Sequence, residues 1–155
     1  MKFSAQEEYG IRFLISLGKA YYSGQGKTIP EISKDEGISQ HNVAKLLRVL
    51  RINGFLESER GHTGGYTLSR PPEEINIGDV LRVLGGRLFD DEFCKNHSGG
   101  NSFCAHSVDC STRGLWTLIQ NAVDNVINNL TLRDLLGPEK QLMKRKTDKS
   151  KSIVL

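Results

Sequence analysis

Apolar and polar positions follow a helical period through most of the chain. Residues 5–22 carry apolar side chains at Tyr9, Ile11, Phe13, Leu14, Ile15, Leu17 and Tyr21, with charges at Glu7, Glu8, Arg12 and Lys19. That pattern predicts a first helix with one wide buried stripe. Residues 24–27, GQGK, break it. Pro30 suits the first turn of a short second helix, where its missing N–H would have no partner anyway, and Ile32 gives that helix a core contact. Gly37 can take positive φ, Ile38 is apolar, and Ser39 is a good N-cap for a third helix from about Gln40 to Ile52. In that helix Val43, Leu46, Leu47 and Leu50 share one face. Short helix, glycine turn and capped helix make the layout of a helix-turn-helix.

The period then shortens. Residues 55–59 and 66–69 read as two strands joined by the glycine-rich RGHTGG hairpin. A helix-turn-helix followed by a hairpin is a winged helix, with Arg60 and His62 at a wing tip that can reach a minor groove. Gly64 and Gly65 do not read as a phosphate cradle, because no strand-to-helix junction with a Lys-Ser or Lys-Thr pair follows them. Pro71 and Pro72 close the wing, and residues 77–84 (IGDVLRVL) form another amphipathic helix. Residues 85–113 are loop-like and rich in Gly, Ser and Asn.

After this loop, Leu115, Leu118, Ile119, Ala122, Val123, Val126, Ile127 and Leu130 keep a helical period over about four turns. The stripe is wider than so small a domain needs. It predicts packing against a second copy, a homodimer matched to two half-sites on DNA, although it could also complete the core of a monomer. The expected fold class is therefore mainly α: a winged helix-turn-helix domain over residues 1–72, a cysteine-bearing loop with a long C-terminal dimerisation helix over 73–136, and a basic flexible tail over 137–155.

Charge changes this picture only when it is split. The 155 residues hold 21 Lys and Arg against 18 Asp and Glu, and the net +3 lies wholly in the tail: residues 1–79 sum to zero, 80–136 to −1 and 137–155 to +4. A nucleic-acid role must rest on where single cations sit. The third helix supplies that placement. Gln40, His41 and Asn42 in its first turn can donate to and accept from base edges, while Lys45, Arg48 and Arg51 follow as phosphate partners with no acidic residue between Ser39 and Phe55. A solvated amphipathic helix would show a similar pattern, and the wing beside it favours DNA. No apolar run approaches the roughly 18 residues that span a bilayer, and two carboxylates near the N-terminus argue against a secretory signal, so a cytoplasmic protein is expected.

The three cysteines, Cys94, Cys104 and Cys110, fall within the loop in a Cys-x9-Cys-x5-Cys spacing. An odd count argues against a disulfide framework and leaves metal binding, a reactive thiol or plain packing. The spacing lacks the Cys-x2-Cys knuckles of structural zinc sites, and its long spacers suit a loop wrapped around something larger than one ion. An iron-sulfur cluster with one non-thiolate ligand fits, and so does zinc held with His97 or His106. No orienting carboxylate or oxyanion-hole motif accompanies Cys110 and His106, so enzymatic activity is not expected.

Taken together, the segments MKFSAQEEYGIRFLISL, IPEISKDEGIS, LLRVLRINGFLES, RGHTGGYTLSR and IGDVLRVL and the late cysteines resemble the iron-sulfur winged-helix regulators of the IscR and NsrR type, from Met1 to about Leu136. The resemblance implies a homodimeric bacterial transcription factor that binds double-stranded DNA. It also implies a 2Fe-2S or 4Fe-4S cluster near the dimer interface that controls DNA binding in response to nitric oxide, redox conditions or iron-sulfur status. IscR-like members place a histidine ligand three residues after the last cysteine. Arg113 stands there in this chain, and a guanidinium has no acceptor lone pair. NsrR-like relatives use a carboxylate from the partner's first helix, and Glu8 occupies the matching position, with His97, His106 and Glu7 as alternates. The nine-residue first spacer exceeds that of IscR-like members and leaves cluster nuclearity open. Competing readings are a zinc-stapled winged helix and a cluster-free protein, with constitutive DNA binding or an enzyme as partner.

Overall fold

The computed structural model describes residues 2–59, 64–90, 92–100 and 104–149. Helix α1 (Ala5–Tyr21) starts at a capping box in which Ser4 and Glu7 satisfy each other's exposed groups. Helix α2 (Ile29–Glu36) repeats the device with Thr28 and Glu31, places Pro30 in its first turn and ends on Gly37 at φ +66°. Ser39 then caps α3 (Gln40–Ile52), accepting the Asn42 N–H at 3.4 Å. The left-handed Gly37 lets the chain reverse between two helices within three residues.

Strands β1 (Leu56–Ser58) and β2 (Tyr66–Leu68) pair antiparallel with Leu56 opposite Leu68. They are shorter than the sequence suggests because only Leu56 and Leu68 turn into the core, while Glu57 and Ser58 face solvent. A single 3-10 turn (Pro72–Glu74) leads to α4 (Ile77–Leu84), capped by Asn76. Helices α5 (Phe93–Asn96), α6 (Ser111–Ile127), α7 (Leu132–Leu135) and α8 (Glu139–Lys149) follow. The segment expected to be a flexible tail is thus helical from Glu139 to Lys149.

One core serves α1 to α4, the wing and α7. Phe13, Leu14, Ile32, Val43, Leu47, Leu50, Ile75, Val80 and Leu132 are fully buried, each such side chain contributing about 1.5–3 kcal/mol relative to exposure. Helices α1 and α4 cross closely at Gly10, where a Cβ would collide with Leu84. Helix α7 is held by Thr131 and Asp134 and by two main-chain bonds to the linker, Ile77 N–H to the Leu130 carbonyl at 2.9 Å and Leu132 N–H to that of Ile75 at 2.8 Å. In contrast, α6 touches this body mainly along α4, and its first two turns, residues 111–118, are exposed throughout. Among the described residues no helix is long and apolar enough to cross a membrane.

Candidate nucleic-acid interface and cysteine pocket

Helix α3 buries Val43, Leu46, Leu47 and Leu50. At 100° per residue the opposite ridge is His41, Lys45, Arg48 and Ile52, with Gln40 and Asn42 flanking its first turn. All six side chains are exposed, and neither Lys45 nor Arg48 forms an ion pair among the described residues. Ile52, 67% exposed, is an apolar member of this ridge that the hydrophobic pattern assigns no role. Arg60 and His62, expected at the wing tip, lie outside the described residues.

The wing is fixed to the scaffold by Lys27. Its N–H donates to the Tyr66 carbonyl at 3.0 Å and its carbonyl accepts from the Tyr66 N–H at 2.8 Å, which adds a one-residue third strand beside β2 of the hairpin. The Lys27 ammonium bonds the Ser16 hydroxyl at 2.8 Å and the Asp35 carboxylate at 2.9 Å, so one residue joins β2, α1 and α2. Sequence pattern misses this junction; its only trace is the glycine at Gly26 and at Gly65, both pressed against the crossing chain.

The structure brings Cys94, Cys104 and Cys110 to one cavity of about 190 Å³, all three half-buried, with His106 and Arg113 in the same wall. Cys110 is the N-cap of α6, and its sulfur accepts the Arg113 N–H at 3.3 Å. The helix N-terminus therefore directs its partial positive charge at that sulfur. Among the described residues no three His, Cys, Asp or Glu side chains are placed to hold a single metal ion. Three thiols facing one cavity are a donor set that fits an iron-sulfur cluster, whose ligands are cysteine thiolates.

The candidates for a fourth ligand separate on geometry. Glu7 is engaged in the α1 cap, its Oε2 accepting from the Ser4 N–H at 2.7 Å and hydroxyl at 2.8 Å. His97 stacks on Phe93 at 4.2 Å with Nδ1 2.8 Å from the Phe93 carbonyl, and is not in the cavity wall. His106 lines the cavity. Glu8 is exposed on α1, and its carboxylate has no hydrogen-bond partner among the described residues. It does not line its own chain's cavity.

A second, larger cavity of about 560 Å³ lies between the N-terminal segment, α4 and the C-terminal half of α6, walled by Phe3, Leu81, Leu88, Ile119, Val123 and Ile127 among others. Beside it on α6, Leu115 is 50% and Leu118 68% exposed. This face carries the wide apolar stripe of the sequence, and Leu115 and Leu118 are left uncovered by the described residues.

The Rrf2 family of iron-dependent transcriptional regulators matches residues 3–138. The chain belongs to this family. It is 33% identical to the transcriptional regulator CymR of Bacillus subtilis over 136 residues, covering 87% of this chain and 89% of CymR. It is 30% identical to NsrR of the same organism over 146 residues, covering 93% and 96%. The solved structure of the B. subtilis CymR superposes with a TM-score of 0.71 at 30% identity over 88% of this chain and 96% of that one. That of T. potens IscR gives 0.69 at 25% identity over 100% and 93%. The mainly helical winged-helix architecture and the likeness to IscR and NsrR read from the sequence are thus borne out. As an Rrf2 member the chain is a DNA-binding transcriptional regulator, and its relatives are regulators, not enzymes.

Proposed function

We propose that this Rrf2 protein acts in the cytoplasm as a homodimer whose operator binding is governed by an iron-sulfur cluster held by Cys94, Cys104 and Cys110 of one chain and Glu8 of the partner subunit. The observation that carries this reading is the convergence of Cys94, Cys104 and Cys110 on one cavity. When bound, a cluster supplies iron that nitric oxide can attack and a charge that changes by one electron.

The chain's own residues turn occupancy into DNA affinity. Cys110 starts α6, so the sulfur donor and the apolar dimer face belong to one rigid element. Glu8 lies on α1, which packs directly against α3. A carboxylate donated from the partner's α1 therefore ties one chain's cysteine loop to the other chain's reading head and sets the separation of the two α3 helices. On DNA, Gln40, His41 and Asn42 address base edges, Lys45 and Arg48 neutralise phosphates, and Arg60 and His62 follow the minor groove.

Anaerobically purified protein tests this directly. Visible absorption, a Mössbauer spectrum with one inequivalent iron, and inorganic sulfide are expected; iron-free protein after attempted reconstitution refutes the proposal. The likeness to CymR, described as a global cysteine regulator of B. subtilis, favours a second, cluster-free reading. Colourless protein whose DNA binding survives replacement of all three cysteines by serine would establish it, and colourless protein with stoichiometric zinc would establish a zinc-stapled form instead.

A further inference from the structure

We infer that Arg113 is a positioning residue of the cysteine pocket, clamping the turn between Cys104 and Cys110 and placing a permanent charge beside whatever the thiolates bind; this rests on the cluster reading above. The bonding is continuous from one thiol to the next. The Ser107 N–H donates to the Cys104 carbonyl at 3.1 Å, the Ser107 carbonyl accepts from the Arg113 guanidinium at 3.2 Å, and the Arg113 N–H reaches the Cys110 sulfur at 3.3 Å. Arg113 stands in the first turn of α6, so its side chain can fold back over the loop that precedes the helix while its main chain caps the sulfur.

Charge gives the arrangement its second consequence. Three thiolates and a carboxylate make a strongly anionic donor set. The Arg113 side chain is in the cavity wall, and no ion pair engages it among the described residues. A guanidinium there favours the more negative, reduced state of a bound cluster, and a hydrogen-bonded outer shell holds the ligands in register. The side chain that cannot ligate iron thus acts on the ligands and on the potential.

The test uses full-length protein with Arg113→Ala and Arg113→Lys. Both keep the main-chain bond to Cys110, so only the side chain is probed, and Arg113 is exposed, so the fold survives. Two quantities are read: hydrogen exchange of the Ser107 amide in the metal-free protein, and the midpoint potential of the reconstituted cluster. In R113A exchange should accelerate at least several-fold and the potential should shift to more negative values. In R113K the potential should return towards that of the unsubstituted protein while exchange stays fast, because an ammonium restores charge without the planar fork. A wild-type value of either quantity in R113A overturns the inference. Absence of a cluster from the unsubstituted protein instead refutes the cluster reading, and the exchange measurement on metal-free protein still decides the clamp.

Discussion

Gly65 lies flat on the main chain of Lys27: a Cβ built at Gly65 would stand 2.8 Å from both the carbonyl carbon and the carbonyl oxygen of Lys27. Neither can yield, since Lys27 is bonded through its N–H and carbonyl to Tyr66 and through its ammonium to Ser16 and Asp35. Gly65→Ala is expected to lift β2 off its anchor and destabilise the fold by about 1–3 kcal/mol, the usual cost of overpacking. DNA affinity should fall by more than the melting temperature alone implies, because the wing is displaced. Fluorescence anisotropy with operator DNA alongside thermal melts would check this, and Lys27→Met, which keeps the main-chain rungs, should be the milder variant.

Lys45 and Arg48 stand on the outward ridge of α3 with no acidic partner among the described residues. Each change to alanine should weaken operator binding and reduce the slope of log affinity against log salt by about one. Equal affinities at every salt concentration would remove the residue from the interface.

The adjacent carboxylates of α1 should separate cleanly. Glu7→Ala loses the capping box and about 0.3–1.5 kcal/mol of stability, with the visible spectrum of the anaerobic protein intact. Glu8→Ala should leave the melt unchanged and destabilise the cluster. An unchanged spectrum and nitric oxide response in Glu8→Ala would discard Glu8 as ligand.

Leu118 is 68% exposed on the unpacked half of α6. Leu118→Asp should leave the monomer folded and break the dimer, as read by sedimentation velocity, and DNA binding should weaken with it. A dimer of undiminished affinity would show that this face does not pair.

Two acidic groups and a phenol report on pH. The Thr28 main chain and hydroxyl hold the Glu31 carboxyl below its ordinary value of 4.5, and the Tyr22 hydroxyl, 2.6 Å away, does the same for Glu73. The same bond to Glu73 raises the Tyr22 phenol above 10.0. Because both carboxyls are depressed, their stabilisation is complete above 4.5 and is lost as pH falls through their folded values; that of Tyr22 is complete below 10.0 and is lost as the phenol ionises. Carboxyl-carbon NMR titration should find Glu31 and Glu73 among the lowest glutamates, and Glu73→Gln should return Tyr22 towards 10.0.

The elements most legible in the sequence are those whose signals are local. Helix α3 runs from Gln40 to Ile52 as its pattern and its Ser39 cap predict, and α4 matches IGDVLRVL. Helix α7 was equally written, as Thr131 three residues before Asp134, but four residues are too short for periodicity to register. The Lys27 junction and the burial of Gln120 are set by chains far apart in sequence, which no local pattern records. In the candidate site, the cysteine spacing suggested a shared pocket, whereas the separation of Glu7 from Glu8 came only from hydrogen bonds.

Gln120 is 4% exposed, takes the Phe89 N–H at 3.0 Å on its side-chain oxygen and donates to Asp124 at 3.0 Å, and Asp124 in turn holds Arg87 at 2.6 Å. The cysteine segment thus leaves α6 at Cys110 and is stapled to the middle of the same helix at Phe89, like a handle with both feet on one rod. Its ends are brought together before any guest arrives, and the entropy of closing that span is already spent.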